Sequence, residues 1–414
     1  MDFFDYDLSL GDEQREIQKA ARTFAAEVLR PAGIALDRLS GREVSAPGSP
    51  LFDVLRQASE LGYTRLLGPE ALGGLGLSPL TAALVLEELA WGNLGLAAVF
   101  FLAGTPAQVA LLSGNSEAIE AIAVPYFRSS DGSLRGCWAI TEPDHGSDTL
   151  GVMRPELVVK APGQVVARRE GDGWVIRGQK SAWVSNGPIA THAMLNVHLE
   201  PAAGLDRGGV CLLSLDLPGV THGPALEKHG ARSLPQGELF FDDVHVPRWA
   251  MVVEPDAYPA YMENHLASFN AGVGVVATGL ARAAFDAALA YTRERVQGGR
   301  PIAEHQSVRA RLFRMFQLVQ ACRTLARGVW TSNLTLLETS GRMRLEHSIA
   351  SKVFCTQAAH EVATLAVQLH GGNGLTREYP VEMFLRDATA LTVADGENAY
   401  LSQIGAGILV ERQA

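Results

Sequence analysis

The sequence predicts an α+β protein in which a helical domain, a β domain and a second helical domain follow one another. Helical periodicity runs to about residue 134, short apolar strands between turn residues follow to about residue 253, and helical periodicity continues to residue 414. Strands and helices do not alternate, as they would in a doubly wound nucleotide-binding fold. We therefore expect three domains, at residues 1–134, 135–253 and 254–414.

The first domain opens with an amphipathic pattern. Apolar residues recur every three or four positions from Asp12 to Leu29, and Arg30-Pro31 is expected to end this helix. The pattern returns in residues 49–62 and 78–104, on either side of the irregular, glycine-rich stretch GPEALGGLGL. The first third of the chain is therefore predicted to be helical.

The middle of the chain changes to strand patterns. The stretch GQVVARREGDGWVIRG predicts a hairpin that turns at Gly171-Asp172-Gly173, and residues 192–200, 209–217 and 237–247 are further strand candidates. Pro247 and the polar turns favour a compact all-β unit over a parallel sheet. After this unit, residues 265–297 predict one long helix whose Ala and Gly content suits close packing against its neighbours.

Composition and charge limit the class of protein. Of the 414 residues, 47% are apolar and 19% are charged, which provides for a large core and disfavours disorder. The net charge of -10 argues against broad nucleic-acid binding, which requires positive charge opposite the phosphates. The widely spaced Cys137, Cys211, Cys322 and Cys355 are expected to be free, mostly buried thiols in a reducing compartment.

Two further observations bear on location. The N-terminal stretch MDFFDYDLSLGDEQ is acidic and lacks the basic-then-apolar order of a signal peptide. No uncharged apolar run is expected to approach the roughly 20 residues that a membrane-spanning helix needs. We expect a cytoplasmic protein without membrane insertion and without a metal site.

Two stretches around the β unit are richer in polar residues and glycine than an ordinary core. In CWAITEPDHGSDT, Thr141 and Ser147 supply hydroxyls, and Gly146 lets backbone amides approach a ligand. In GQKSAWVSNG, Trp183 and Ser185 alternate along a strand and share one face, which suits a flat ring system that needs one hydrogen bond. Simpler interpretations stay open, namely a capped turn for the first stretch and a buried Trp with a cross-strand Ser for the second.

Two stretches near helix ends combine glycine with polar side chains. In RERVQGGRPIAEHQ, Arg295 and Gln306 flank a glycine pair, and the Arg is suited either to a pyrophosphate or to a helix C-terminal dipole. In QLHGGNG, which begins at Gln368, Gly371 and Gly372 expose backbone N–H groups that can cradle an anion.

Taken in order, these stretches resemble the acyl-CoA dehydrogenase family over essentially the full chain. PEALGGLGL is similar to the family's N-terminal loop, AITEPDHGSDT to its first signature and KSAWVSNG to its flavin-contacting strand. ELFFDDVHVP resembles the exit from its β domain, and QLHGGNGLTREYPVEMFLRDA resembles its second signature almost in full. The resemblance implies a helical N-terminal domain, a central β-barrel, a C-terminal helical bundle, non-covalently held FAD and a homotetramer or dimer.

The resemblance also implies roles for the residues in these stretches. Thr141 and Ser185 would hydrogen-bond the flavin ring, and Trp183 would flank it. Ser147 would meet the FAD pyrophosphate or the pantetheine arm of the substrate. The residues that would hold the pyrophosphate and adenosine of FAD, partly from a neighbouring subunit, are Arg295, Gln306, Gln368, Gly371 and Gly372.

The resemblance places a catalytic base in the stretch TVADGENAYL. Many family members carry a glutamate before the glycine of this motif, and it removes the proton alpha to a thioester carbonyl while flavin N5 takes a hydride from the beta carbon. Here Asp395 precedes Gly396, which withdraws the carboxylate by one methylene, about 1.5 Å. By the same resemblance, Gly396 and Asn270 would contact the substrate. That Asp395 caps a helix instead stays open.

Several positions depart from the family pattern. Glu397 replaces a threonine that contacts FAD, Gly298 replaces an aromatic residue, and Asn270 stands where many members have an arginine near the pantetheine. The last departure leaves a carrier-protein thioester open as the substrate. Phe269 occupies the helix position that carries the base in some relatives, so the base is not expected there.

The leading hypothesis is FAD-dependent α,β-dehydrogenation of an acyl thioester, with an electron-transferring flavoprotein as acceptor. The alternative is a flavin-dependent oxidase or monooxygenase of the same fold, because relatives resembling nitroalkane oxidase use an aspartate as base. A DNA-binding relative without efficient catalysis is disfavoured by the acidic chain. An acyl-CoA binder without flavin would give a colourless protein.

Overall fold

The computed structural model describes residues 10–411. It has the predicted order of a helical region, a central sheet and a second helical region, while the domain boundaries at residues 134/135 and 253/254 stay a prediction. The helices of the first region are α1 (Asp12–Phe24), α2 (Arg30–Asp37), α3 (Gly41–Ser45), α4 (Pro50–Glu60), α5 (Pro79–Gly92), α6 (Leu94–Ala103), α7 (Thr105–Ser113), α8 (Ser116–Ala118) and α9 (Val124–Arg128).

The first helix does not end at Arg30-Pro31, so that prediction was wrong. A π-helical turn, Ala25–Leu29, follows α1 and leads directly into α2. In a regular helix Pro31 would lack a hydrogen bond and clash with the carbonyl four residues back. The wider π turn directly before the proline relieves this conflict. The same arrangement recurs at Pro125 in α9, which follows the π turn Ile119–Ala123.

The central region contains β1 (Gly136–Ala139), β2 (Val166–Glu170), β3 (Gly173–Ser185), β4 (His192–His198), β5 (Gly208–Ser214), β6 (Val220–His222), β7 (Gln236–Pro247) and β8 (Met251–Val253). Seven strands pair in the order β6-β7-β3-β2-β4-β5-β8, and β1 pairs with β4. The predicted hairpin is β2–β3, in which Glu170 pairs with Gly173. The other three predicted strands are confirmed as β4, β5 and β7.

The sheet is open, so the expected closed barrel is wrong. β6 and β8 stand at the two ends of the path, have three residues each, and each pairs with a single neighbour. Strands of this length give too few ladder hydrogen bonds to close the sheet on itself. Most pairs are antiparallel, but β4 runs parallel to β1 and, at one position, to β2.

The second helical region contains α10 (Tyr258–Glu294), α11 (Gln306–Ser340), α12 (Leu345–His370), α13 (Val381–Leu391) and α14 (Asn398–Glu411), with a small hairpin of β9 (Val296–Gln297) and β10 (Arg300–Pro301) after α10. α10 is the long helix that the sequence predicts, and it packs against α5, α11 and α12. A Cβ added at Gly279 would meet the Glu87 carbonyl oxygen of α5 at 2.4 Å. The glycines of α10 therefore permit close helix packing.

Two segments are apolar and long enough to cross a membrane by length and composition, so the expectation that no such run exists was wrong. Residues 94–113 are 72% buried, and Gly104 and Pro106 divide them into α6 and α7. The second segment, α10, is 78% buried. Both segments are thus mostly packed inside the protein, as core helices are. The four cysteines are buried and free, as predicted.

Candidate active site

Asp395 lies in a tight turn between α13 and α14. Its φ is +51°, and that of Gly396 is +104°, so two successive residues adopt left-handed backbone. Aspartate is one of the few non-glycine residues that are enriched in this conformation, because its short side chain can be accommodated there. Gly396 has no Cβ to strain. The backbone of this turn therefore favours a short acid over a long one.

Three parts of the fold hold this turn. From α10, Asn270 Nδ2 donates to the Asp395 carbonyl oxygen at 3.1 Å. From α12, Lys352 Nζ donates to the Gly396 carbonyl oxygen at 2.6 Å. From the segment after β1, the Ser147 hydroxyl oxygen accepts from the backbone N–H that follows Gly396, at 3.1 Å. The turn is thus bonded to both the sheet region and the second helical region.

The Asp395 carboxylate forms no hydrogen bond or ion pair within residues 10–411. Burial raises the pKa of its carboxyl group, and the Lys352 ammonium opposes part of that shift. Glu397, not Asp395, caps α14, because its carboxylate accepts from the N–H groups of Ala399 at 2.9 Å and Tyr400 at 3.0 Å. A part-buried carboxylate with no structural partner and a raised pKa is suited to accept a proton.

The residues expected at the flavin ring lie on two neighbouring segments. Thr141 lies two residues after β1, and its Oγ1 lies 2.7 Å from Ser181 Oγ on β3. Ser185 Oγ, further along β3, accepts from Gln236 Nε2 at 3.0 Å. The β3–β7 register shifts between residues 180 and 184, and bulges of this kind re-aim side chains near active sites. Trp183 is 59% exposed, so the interpretation as a buried Trp is wrong.

A buried charged cluster, which the sequence analysis missed, anchors the segment that carries Thr141. Glu142 Oε1 accepts from Lys180 Nζ at 2.7 Å, and Oε2 accepts from the Gln164 backbone N–H at 2.6 Å. His198 Nε2 lies 3.4 Å from Oε1. Burial opposes the charge of Glu142, but Lys180 and His198 together hold the pKa of this carboxyl below its usual range. A charged lysine at an inward strand position is the signal that could have revealed the cluster.

The residues expected at the pyrophosphate and adenosine lie on the surface of the second helical region, and all five are exposed: Arg295, Gln306, Gln368, Gly371 and Gly372.

Tyr291, which the sequence analysis also missed, joins two of these segments. Its hydroxyl donates to the His370 carbonyl oxygen at 3.2 Å and accepts from Asn373 Nδ2 at 3.0 Å. The end of α10 is therefore held against the turn that begins at Gly371. A Cβ added at Gly371 or Gly372 would meet no atom within 4 Å, so the backbone of this turn is open to a ligand.

Aromatic side chains gather next to Asn270. The ring centroid of Phe269 lies 5.2 Å from that of Phe101 and 4.6 Å from that of Trp138. His265, one turn earlier on α10, lies 4.6 Å from both Phe269 and Trp138. Its Nε2 is buried without a hydrogen-bond partner in the described chain, and burial lowers the pKa of the ring to about 3. Phe269 directly precedes Asn270, so this flat, uncharged aromatic wall surrounds the part of α10 that bonds the Asp395 turn.

These features fit FAD. An isoalloxazine ring needs a flat neighbour and hydrogen-bonding groups, which the exposed indole of Trp183 and the hydroxyls of Thr141 and Ser185 provide. A pyrophosphate needs open backbone N–H groups and cations, which Gly371 and Arg295 offer.

Comparison with known families agrees with this arrangement. The acyl-CoA dehydrogenase family matches in three successive parts: its N-terminal domain over residues 11–125, its middle domain over residues 137–244 and its C-terminal domain over residues 259–409. These matches cover most of the chain, and they fall on the two helical regions and the sheet between them.

Individual relatives match over nearly their full length. Benzylmalonyl-CoA dehydrogenase from Aromatoleum aromaticum is 30% identical over 403 residues, which are 96% of this chain and 98% of that protein. Cyclohex-1-ene-1-carbonyl-CoA dehydrogenase from Syntrophus aciditrophicus is 30% identical over 94% of this chain and 88% of that protein. Butyryl-CoA dehydrogenase from Megasphaera elsdenii has a similar structure, with a TM-score of 0.84 and 26% identity over 98% of this chain and 100% of that chain.

These comparisons favour dehydrogenation over the oxidase or monooxygenase alternative. They also confirm the resemblance that the motifs suggested and the cofactor that it implied. The chain belongs to the acyl-CoA dehydrogenase family, and the protein is an FAD-dependent oxidoreductase.

Proposed function

We propose that this protein dehydrogenates an acyl-CoA thioester between its α and β carbons and that Asp395 is the base that removes the α proton. The observation that carries this proposal is the Asp395 carboxylate, which is part-buried, has no partner within residues 10–411 and has a raised pKa. A base with these properties binds a proton near neutral pH more readily than an ordinary aspartate. When bound, FAD supplies the acceptor for the hydride.

The roles of the remaining site residues follow from their positions. Thr141, Trp183 and Ser185 contact the flavin ring, and Ser147 links the base turn to the segment after β1. The five exposed residues of the second helical region, from Arg295 to Gly372, hold the pyrophosphate and adenosine. Their exposure in a single chain is consistent with FAD shared between subunits of a homotetramer or dimer. We place the enzyme in the cytoplasm, with an electron-transferring flavoprotein as acceptor.

For the substrate, we propose an aryl or cyclic acyl group. Phe101, Trp138 and Phe269 form an aromatic wall around the part of α10 that bonds the base turn, and flat rings pack well against such a wall. Two relatives with 30% identity are named for benzylmalonyl-CoA and cyclohexenecarbonyl-CoA, which both carry a six-membered ring. Asn270 Oδ1 is buried and accepts no hydrogen bond from the described residues. It can therefore accept one from an N–H group of the thioester arm or from a substrate that contacts Gly396.

The test is anaerobic mixing of the FAD-loaded protein with saturated straight-chain, branched, cyclohexyl and aryl acyl-CoAs, while flavin absorbance is followed by stopped flow. We expect rapid bleaching by ring-containing thioesters. Asp395→Asn should keep FAD and slow bleaching by about 10²- to 10⁴-fold. Glu397→Gln is the matched control, because it removes the neighbouring carboxylate of the same turn, and it should stay within about tenfold of the wild type.

Two results would contradict this proposal. Undiminished bleaching in Asp395→Asn would remove Asp395 from the mechanism. Oxygen consumption with a non-thioester substrate, without bleaching by any acyl-CoA, would favour the oxidase alternative.

A further inference from the structure

Lys352 is a fully buried lysine beneath the Asp395 turn. It has no solvent-exposed surface, and the residues one turn away from it on α12, Ser348, Ile349, Cys355 and Thr356, are buried and uncharged. Besides the Gly396 carbonyl oxygen, its Nζ donates to Asn398 Oδ1 at 2.8 Å. Burying an ammonium group is unfavourable unless its surroundings compensate for the lost water. Such a placement needs a reason beyond packing, since an apolar side chain would fill the same space at lower cost.

The turn above Lys352 explains the need for a fixed donor. Asp395 has a positive φ without being glycine, and such a conformation persists only where the surroundings determine it. Lys352 bonds two groups on the C-terminal side of Asp395, namely the carbonyl oxygen of Gly396 and the side chain of Asn398. The Asn398 side chain is in turn held by Thr356 Oγ1 at 3.1 Å. The buried ammonium thus fixes the backbone directly after Asp395.

We propose that Lys352 is a positioning residue for the base: its ammonium group fixes the Asp395–Gly396 turn and favours the ionised Asp395 carboxylate. This inference rests on the proposed function of Asp395. Two carboxylates act on Lys352, those of Asp395 and Glu397. Burial lowers the pKa of the Lys352 ammonium to about 8, and both carboxylates oppose that shift. Its two hydrogen bonds to oxygen acceptors favour the ammonium form, whose charge stabilises the deprotonated base.

The test compares the pH dependence of flavin reduction, measured anaerobically with one saturating acyl-CoA, in the FAD-loaded wild type, Lys352→Met and Lys352→Arg. In Lys352→Met the acid limb, the rise of the rate with pH on the acid side, should move to higher pH by roughly one unit, because a positive charge that acts on the carboxylate has been removed. Lys352→Arg keeps the charge and should keep the wild-type limb, even where its rate is lower. Should Lys352→Met not fold, Lys352→Gln provides the same neutral comparison.

Thr356→Val is the matched control, because it removes a neutral partner of Asn398 and leaves the ammonium in place. A merely structural role for Lys352 predicts that Thr356→Val and Lys352→Met lower the rate without moving the limb. That result would overturn the proposal. A shift in Lys352→Met alone would support it.

A double variant separates this inference from the proposed function. If Lys352 acts through the base, Lys352→Met should change the residual reduction rate of Asp395→Asn by less than about twofold. If Lys352→Met slows flavin reduction by the same factor in the wild type and in Asp395→Asn, the positioning role of Lys352 is overturned, and the proposed function of Asp395 is not affected. A normal rate in Asp395→Asn would instead contradict the proposed function.

Discussion

Asn270 on α10 donates its Nδ2 to the backbone oxygen of Asp395 at 3.1 Å, which joins the central helix of the second helical region to the turn that carries the candidate base. The resemblance to the family had placed Asn270 near the substrate. Its donor serves the protein itself, and only the buried Oδ1 stays without a partner among the described residues. The position that carries an arginine in many members thus contributes one bond to the turn and one acceptor to the site.

The first prediction concerns the pH dependence of the reaction. Because burial raises the pKa of Asp395, the rate of flavin reduction should rise with pH through a value above the ordinary aspartate pKa of about 3.9. Stopped-flow reduction from about pH 4 to pH 9 measures this limb. Asp395→Glu should keep a limb of the same kind, because it keeps a carboxylate. If the rate of flavin reduction rises with a midpoint at or below pH 4, burial does not raise the pKa of Asp395.

The second prediction is that Asp395→Asn stabilises the fold at neutral and alkaline pH. A carboxyl whose pKa is raised on folding binds more protons in the folded state, so stability falls as pH rises from the unfolded pKa through the folded one. The variant lacks this ionisation, and asparagine also tolerates positive φ. Its melting temperature should exceed that of the wild type at pH 8 and approach it at pH 4. If the melting temperatures of the variant and the wild type differ by the same amount at pH 4 and at pH 8, burial of the Asp395 charge is not the cause of the stabilisation.

The sequence predicts the order of the three regions, most strands and the ordered motifs because these depend on local periodicity and turn residues. It does not predict the contacts that hold the site. Lys352 bonds Gly396, 44 residues away, and Lys180 bonds Glu142, 38 residues away, so each pairing depends on how the regions pack. A lysine as the one Lys, Arg, Asp or Glu in residues 347–360 was the available signal for Lys352.

One wrong prediction has a local physical cause. Pro31 was expected to end a helix, but a preceding π turn accommodates it. The effect on adenosine binding of having Gly298 in place of an aromatic residue stays a prediction. In the structure Gly298 and Gly299 have φ values of +62° and +80° and form the turn between β9 and β10, a conformation that disfavours an aromatic side chain.

The third prediction concerns the exposed indole of Trp183. Trp183→Ala should weaken FAD binding by about tenfold, since an aromatic pair contributes roughly 0.5–1.5 kcal/mol beyond buried area. Trp183→Phe keeps a flat ring and should retain most of the affinity. The dissociation constant is measured by titrating the apoprotein with FAD and following flavin fluorescence. Equal affinity in the wild type and Trp183→Ala would place the flavin elsewhere.

The fourth prediction tests the aromatic wall. Phe101→Ala opens space beside Phe269, so kcat/KM should fall by about 10- to 200-fold for aryl acyl-CoA and fall less, or rise, for bulkier branched thioesters. Phe313→Ala is the control, because Phe313 is 61% exposed on α11, and it should leave the ratio between the two substrates unchanged. A uniform loss for all acyl groups in Phe101→Ala would mean that the wall does not contact the acyl chain.

The last prediction concerns a buried ion cluster that joins α5, α10 and α11. Glu87 is 1% exposed, and its carboxylate accepts from Arg282 at 2.6 Å while lying 3.0 Å from Arg323 and 2.9 Å from Arg327. Burial opposes its charge, but the three guanidinium groups outweigh that effect and hold the pKa of Glu87 well below its usual range. Arg282 also pairs with the buried Glu88, but Glu87 is the carboxylate that contacts all three arginines.

Glu87→Gln leaves buried guanidinium groups without that charge, which should lower the free energy of unfolding by about 3–5 kcal/mol. Urea denaturation of the FAD-loaded protein measures the change. Glu361→Gln removes the carboxylate of a surface pair with Arg314, whose partners are 44% and 52% exposed, and should cost less than about 1 kcal/mol. Similar losses in the two variants would mean that water or rearranged neighbours replace Glu87, so that the cluster would not hold the three helices together.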